Sequence, residues 1–250
     1  MGYIPRIYIP HSLSAQTQIE VSAEQSRYLL RVMRLQAGAS VRVFNGEQGE
    51  WLCEIAVRGK TATLSPQHQM RAQTDVPDLT LLFAPLKKTR TDFAIEKATE
   101  LGVRRIQPVM TDYTQSQRVR IDRLSQVAVE AAEQTERMDI PEISEAEPLV
   151  KVLERWDLGR MLFFCDEAGT RLHTLPQITD GDAMKAALLI GPEGGFSPAE
   201  HTYLKTLDFV HPITLGPRIL RAETAIVSAL TLWQSALGDW REPPYLPEER

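Results

Sequence analysis

No apolar run in this 250-residue chain approaches the roughly 20 residues that a bilayer span requires. A helix that spans a membrane is therefore not expected. The first residues, MGYIPRIYIP, carry Arg6 and two prolines in place of a long apolar core, so no secretory signal is expected. Cysteine is scarce: Cys53 and Cys165 both sit in apolar, strand-like runs, where free buried thiols are common, and the expected compartment is the cytoplasm. The five histidines (His11, His68, His173, His201, His211) lack metal-ligand spacing, so no metal is expected. Neither G-x-x-x-x-G-K-[ST] nor G-x-G-x-x-G occurs, which argues against the common nucleotide-phosphate loops.

What is present is an ordinary globular composition, 43% hydrophobic and 24% charged, with an uneven distribution of charge. The net charge is -5, yet residues 1–125 hold 17 Lys and Arg against 12 acids while residues 126–250 hold 11 against 21. A basic front half remains able to grip phosphates.

Up to about residue 70 the chain reads as β-rich. ASVRVFNG and EWLCEIAV are short runs joined through Asn45-Gly46 and Gln48-Gly49, followed by TATLSP, the pattern of a small barrel or sandwich. AEQSRYLLRVMRL is the exception: Tyr28, Leu29, Val32, Met33 and Leu35 fall near helical spacing, with Arg27, Arg31 and Arg34 on the remaining face. The polar stretch Gln67–Pro77 suggests a boundary, giving domains over 1–72 and 76–242. From Asp78 strands and helices alternate. LTLLFAPL, RIQPVM, MLFFCDE, AALLIGPE and HPITLG read as strands, Thr91–Leu101 as a helix and Ile121–Met138 as a long one. Continuous apolar strands between helices predict an α/β domain with a mostly parallel sheet.

Two stretches carry the chemistry. In LLIGPEGGFSPAE, Gly191, Gly194 and Gly195 allow positive φ and close backbone approach to a ligand, and Ser197, Pro198 and Glu200 form a capping box that starts a helix. The turn would lie at the carboxyl end of a strand, where open α/β sheets bind ligands. In TLGPRILRAETA a turn at Gly216-Pro217 leads into a helix whose buried face is Ala222, Ala225, Ile226, Ala229, Leu230, Trp233 and Leu237. Arg218 and Arg221 stand at that helix N-terminus, where positive charge is unfavourable unless an anion answers it. Ser228, Thr231 and Ser235 form a small polar stripe on the same helix, on a solvated face or at a subunit interface.

IGPEGGFSPAE and LGPRILRAETA, preceded by KATELGVRRIQPV and EAAEQTERMDIPEI, closely resemble the bacterial RsmE-type 16S ribosomal RNA uridine-N3 methyltransferases of the SPOUT superfamily. VMRLQAGASVRVFNGEQGEW is similar to their PUA-like RNA-binding β-barrel. The resemblance implies a C-terminal SPOUT-type α/β domain with a trefoil knot, a rare exception among folds, and a homodimer. It also implies S-adenosyl-L-methionine bound by Phe164, Cys165, Asp166, Glu167, Ile190, Gly191, Pro192, Glu193, Gly194, Gly195, Leu215, Gly216, Arg218, Ile219, Leu220, Arg221 and Thr224.

The implied reaction is methylation of N3 of a uridine in the small ribosomal subunit, at position 1498 of 16S rRNA by resemblance. Arg221 would stabilise the uracil oxygens while Glu223 orients that arginine or relays the proton. Arg6, Arg34, Lys87 and Arg90, with Arg27 and Arg31, would track rRNA phosphates. Relatives usually carry Arg then Ser where this chain has Tyr113 and Thr114, a change that exchanges charge for a ring able to stack on a base. The alternatives are a SPOUT enzyme acting on tRNA or another rRNA nucleotide, and a non-catalytic RNA-binding assembly factor.

Overall fold

The computed structural model describes residues 4–15, 18–116, 118–166 and 185–243. They form two units: one built from the chain up to Asp75 together with Ala132–Ile140, the other from Val76–Ala131 and Pro141–Pro243.

In the first unit, β1 (Arg6–Tyr8), β2 (Ile19–Glu20), β3 (Ser40–Phe44), β4 (Glu50–Arg58) and β5 (Thr61–Arg71) make a sheet in the order β1-β3-β4-β5-β2. Alternation along β4 buries Cys53 and Ile55 and exposes Glu54 and Ala56, so one face covers a core with Ile7, Leu29, Val41, Val43 and Leu64. Gly49 has φ 71°, and a Cβ there would lie 2.1 Å from the Arg71 carbonyl oxygen, which makes glycine obligatory where β4 begins. The stretch from Gln67 to Arg71, part of the polar segment in which the sequence placed a domain boundary, extends β5. Leu52 pairs with His68 and Trp51 with Gln69, so the ladder satisfies the backbone while the side chains meet water.

Ser22 and Gln25 form a reciprocal capping box that starts α1 (Ala23–Arg27), and a π-helical turn follows over Tyr28–Val32. The wider turn shifts the apolar phase. Leu29 is buried but Val32 is 64% exposed, contrary to the helical spacing expected for it.

The Ala132–Ile140 segment joins this unit through charge. Glu50, fully buried, accepts from Arg6 Nε at 2.5 Å and Arg42 Nη1 at 3.2 Å. Arg42 also grips Glu136 with both terminal nitrogens, at 2.9 and 2.6 Å, and Arg6 donates to the carbonyls of Ala132 and Arg137 at 2.7 and 2.8 Å. Burial alone would raise the Glu136 pKa, but its hydrogen bonds and charge contacts with Arg42, aided by Arg6 and Arg71, hold it below the usual carboxylate value.

The second unit contains β6 (Leu79–Phe83), α2 (Lys88–Glu100), β7 (Arg105–Met110), α3 (Ile121–Gln134), β8 (Glu142–Ile143), β9 (Glu147–Pro148), α4 (Leu149–Glu154), β10 (Met161–Cys165), β11 (Ala186–Ile190), α5 (Pro198–Lys205), β12 (Val210–Ile213) and α6 (Ala222–Leu237). Its parallel sheet runs β12-β10-β11-β6-β7-β8, with β9 added on β7. Strands β6 and β11 are buried along their whole length, as their unbroken apolar sequence demands. Helix α3 stops at Gln134 rather than Met138. Glu136 adopts φ 61°, and Met138 is buried within the first unit, so its apolar character reflects a different core from that of Leu124 and Ala128.

Helix α6 packs on α2 and β11 through Ala222, Ala225, Ile226, Ala229, Leu230 and Trp233. Gln234 is also buried, donating to the Leu101 carbonyl at 2.6 Å and accepting from Asp239 N at 3.2 Å, while Leu237 is only half-buried. This sheet order sets the carboxyl ends of β10, β11 and β12 side by side.

Candidate functional site

Those three strand ends open into a cleft of about 230 Å³, closed on its remaining side by the first turn of α6. Its geometry begins with the turn after β11. Of the three glycines there, only Gly195 uses positive φ (68°); its N–H donates to the Pro192 carbonyl at 2.9 Å. Gly191 is needed for space, since a Cβ would meet the Phe196 ring at 2.7 Å. A Cβ on Gly194 would lie 3.4 Å from Tyr113 Cβ, which places the Tyr113 side chain against the turn. The expectation of positive φ at Gly191 and Gly194 is thus corrected: close packing is what the small size of Gly191 serves, while at Gly194 a Cβ would make ordinary contact.

The capping box is present as the sequence indicated. Ser197 Oγ accepts from Glu200 N at 3.2 Å and Glu200 Oε2 from Ser197 N at 2.9 Å. It also reaches outward: Ser197 Oγ donates to Asp112 Oδ2 at 2.5 Å and Glu200 Oε1 accepts from Asp112 N at 2.9 Å. One helix start therefore fixes the loop that carries Tyr113, which is 46% exposed.

Cys165, Asp166, Ile190, Gly191, Pro192, Glu193, Leu215, Gly216, Arg218, Ile219 and Leu220 line the cleft. Phe164 does not; it is fully buried and meets Phe196 edge-on, with ring centroids 5.0 Å apart, so it supports the lining from behind. Gly194 and Gly195 lie outside the lining, and Arg221 and Thr224 point to solvent. Glu167 lies outside the described residues. The sequence reading missed Phe196, Ile213, Thr214, Pro217, Ala222 and Ala225. Thr214 and Pro217 belong to the motif already singled out, and the small Ala222 and Ala225, taken as core, also leave room at the helix start. Thr214 Oγ1 accepts from Gly216 N at 3.3 Å, bracing a turn in which Gly216 adopts φ 106°.

Charge in the site is arranged in pairs. Arg90, on α2, reaches Glu193 at 3.0 Å and Glu223 at 3.5 Å, joining the β11 turn to the first turn of α6. Glu223 is therefore held by Arg90 and not by Arg221, and its second oxygen, Oε2, is buried with no hydrogen-bond partner among the described residues. Arg221 is the N-cap residue of α6, exposed, and like Arg218 it has no carboxylate partner among the described residues. On the far side Asp166, nearly fully buried, lies 3.0 Å from His201 Nε2 and 3.7 Å from Lys205 Nζ. Burial pushes the Cys165 thiol up to about 12, which rules it out as a thiolate nucleophile near neutral pH.

The basic residues expected to meet RNA divide. Arg6 is corrected: its guanidinium is buried on Glu50 and two carbonyls and lies 3.9 Å over the Phe44 ring, so it holds the first unit together and is closed to phosphate. Arg27, Arg31 and Arg34 are exposed on that unit, and Lys87 is exposed before α2. Arg90 is mainly committed to the two glutamates. Among the described residues no cluster of His, Cys, Asp and Glu could hold a metal ion.

Comparison with known proteins connects this geometry to a family. Residues 73–234 match the family model described as an RNA methyltransferase domain, and residues 21–65 match an RNA methyltransferase PUA domain. The ribosomal RNA small subunit methyltransferase E of Rickettsia conorii is 32% identical over 90% of this chain and 93% of its own. That of Buchnera aphidicola from Schizaphis graminum is 30% identical over 94% and 98%. The crystal structure of ribosomal RNA small subunit methyltransferase E from Neisseria gonorrhoeae, bound to S-adenosyl methionine, superposes with a TM-score of 0.84 at 25% identity, covering 95% of this chain and all of that one. A methyltransferase from Legionella pneumophila in complex with the same cofactor gives 0.82 at 28%, again over 95% and 100%. With a five-stranded sheet module at its front that matches a PUA domain, a parallel sheet whose strand ends form the cleft, and this likeness along nearly its whole length, the chain belongs to the ribosomal RNA small subunit methyltransferase E family.

Proposed function

We propose that the protein transfers a methyl group from S-adenosyl-L-methionine to N3 of a uridine in 16S rRNA, acting on the small ribosomal subunit as a homodimer. The observation that carries this reading is the cleft at the ends of β10, β11 and β12, in a chain that aligns over 95% of its length with cofactor-bound relatives. The trefoil threading belongs to the same proposal.

The residues present suit the cofactor. Ile190, Leu215, Ile219 and Leu220 offer apolar surface for an adenine, and Gly191 and Gly216 line the cleft without a side chain. Asp166 and Glu193 supply negative charge to a ligand bearing a sulfonium and an amine, and Arg218 answers a carboxylate. When bound there, S-adenosyl-L-methionine supplies an electrophilic methyl group.

This chain's own residues must then make a uracil nucleophilic. N3 of uracil carries a proton at neutral pH, so it attacks only as that proton leaves. Glu223 Oε2 is a buried acceptor with no hydrogen-bond partner among the described residues, and Arg90 holds the carboxylate through Oε1. Because Glu223 is paired with Arg90 and not with Arg221, relaying the proton is the role proposed for it here. Arg221, at the start of α6 and without a carboxylate partner among the described residues, is placed to meet the oxygens on which negative charge builds. Replacing Arg221 with Ala should lower turnover by roughly 10²–10³-fold with cofactor affinity unchanged, as loss of an oxyanion donor does. Near-normal turnover in that variant, with cofactor binding intact by calorimetry, would remove Arg221 from the mechanism.

A further inference from the structure

Two further depressions adjoin the cleft in the second unit. One, of about 310 Å³, is lined by Pro85, Leu86, Lys87, Gln115, Ser116 and Glu193; Glu193 also lines the cofactor cleft. The other, of about 280 Å³, shares Pro85, Leu86 and Ser116 with the first and adds Arg118, Arg120 and Arg123. Shared walls thus link the cleft at Glu193, by way of the β6–α2 and β7–α3 loops, to three arginines that the sequence reading did not single out.

Four basic side chains line this path against two acids, Asp92 and Glu193. Both acids are already answered, Asp92 by Arg123 and Glu193 by Arg90. Lys87 and Arg118 have no carboxylate partner among the described residues. Arg120 holds only its neighbour Asp122, and with both side chains at least 60% exposed such a pair yields readily to a stronger anion. The start of the β7–α3 wall is preset: Thr114 Oγ1 accepts from Thr111 N at 2.9 Å, and Asp112 is fastened to Ser197 and Glu200. Tyr113 stands at the cleft end of that wall, against Gly194.

We propose that these linked depressions form a track for the phosphates of the RNA strand leading away from the reactive uridine, with Lys87, Arg118 and Arg120 as its contacts. It rests on the function proposed above. The occupant is a polyanion that must also enter the adjoining cleft, which favours the substrate strand over an acidic protein segment.

The test uses the full-length protein, small ribosomal subunits lacking the modification, and two double variants: Arg118→Ala with Arg120→Ala, and Arg118→Lys with Arg120→Lys. Methyl transfer by the unaltered protein is measured first, so a failure of the functional proposal is seen there and nowhere else. In the alanine variant the slope of log affinity against log salt should become shallower by about 0.7 for each lost single-strand contact, and KM for subunits should rise several-fold. Cofactor affinity by calorimetry should hold, and the lysine variant should keep the original slope. An unchanged slope and KM in the alanine variant would overturn the proposal. So would an unchanged slope accompanied by altered sedimentation, which would assign this face to a second copy of the chain.

Discussion

Replacing Gly191 with Ala should damage the cofactor cleft through packing. The new Cβ would lie 2.7 Å from Phe196 Cε2 and 3.1 Å from Cδ2 and Cζ. Carbon contacts are favourable near 3.5–4.0 Å, so the ring must retreat by roughly 0.8 Å. Two directions are open to it, because Phe164 meets it edge-on from the core while its other side lines the cleft. Overpacking of this kind costs about 1–3 kcal/mol. If the ring escapes into the cleft, that cost falls on the bound state and weakens cofactor affinity by about 5- to 150-fold, since each 1.4 kcal/mol is tenfold. If it presses on Phe164, the same cost appears in the urea midpoint. Calorimetry and urea titration of one variant separate the two. Adding Phe196→Leu should relieve the clash, so the double variant should lose at least about 1 kcal/mol less than the single losses combined. Affinity and stability both within about 0.5 kcal/mol of the original would refute the reasoning.

Three other outcomes follow from the geometry. Glu50→Gln leaves the buried Arg6 and Arg42 guanidiniums without their shared carboxylate and should destabilise the first unit by about 3 kcal/mol, read from urea unfolding by Trp51 fluorescence; a loss below about 1 kcal/mol contradicts the account. For Glu136, and for Asp78, where burial is outweighed by the hydrogen bonds and charges of Arg160 and Arg105, the folded pKa lies below the unfolded one. Their stabilisation is thus present above the unfolded value near 4 and is lost as pH falls through the folded values. Urea midpoints should drop steeply from about pH 5 to pH 3 and less steeply in a Glu136→Gln, Asp78→Asn variant; identical profiles would count against it. Ser197→Ala removes a helix cap and the donor to Asp112, and should cost about 1–2 kcal/mol in a thermal melt while increasing proteolysis near Tyr113.

Where one physical signal dominated, the sequence was legible. Unbroken apolar runs identified β6, β10 and β11, and the Ser197–Glu200 spacing gave the start of α5. Glycine turns after apolar strands marked the loops at Gly191–Gly195 and Gly216, whereas the loop from Phe164 and the cofactor itself came only through the resemblance. Periodicity misled where two cores share one stretch: Met138 continues the apolar phase of α3 but is buried in the other unit. Arg6 was read as a phosphate contact because the family it resembles carries a basic residue there; its acceptor Glu50 is 44 residues away and its carbonyl partners more than 120. Distance in sequence also hid the bridge from Arg90 to Glu193 and Glu223, and with it the unpartnered oxygen of Glu223. The arginines at 118, 120 and 123 went unnoticed because a loop of unremarkable composition becomes a groove wall only when the β6–α2 loop stands opposite.

The central claim is tested most directly by incubating the protein with S-adenosyl-L-methionine carrying a labelled methyl group and small ribosomal subunits lacking the modification, then locating label by nuclease digestion and mass spectrometry. The account predicts label on N3 of a single 16S uridine, reduced at least a hundredfold by Arg221→Ala. Label on another nucleotide, or none while calorimetry shows the cofactor bound, would contradict it.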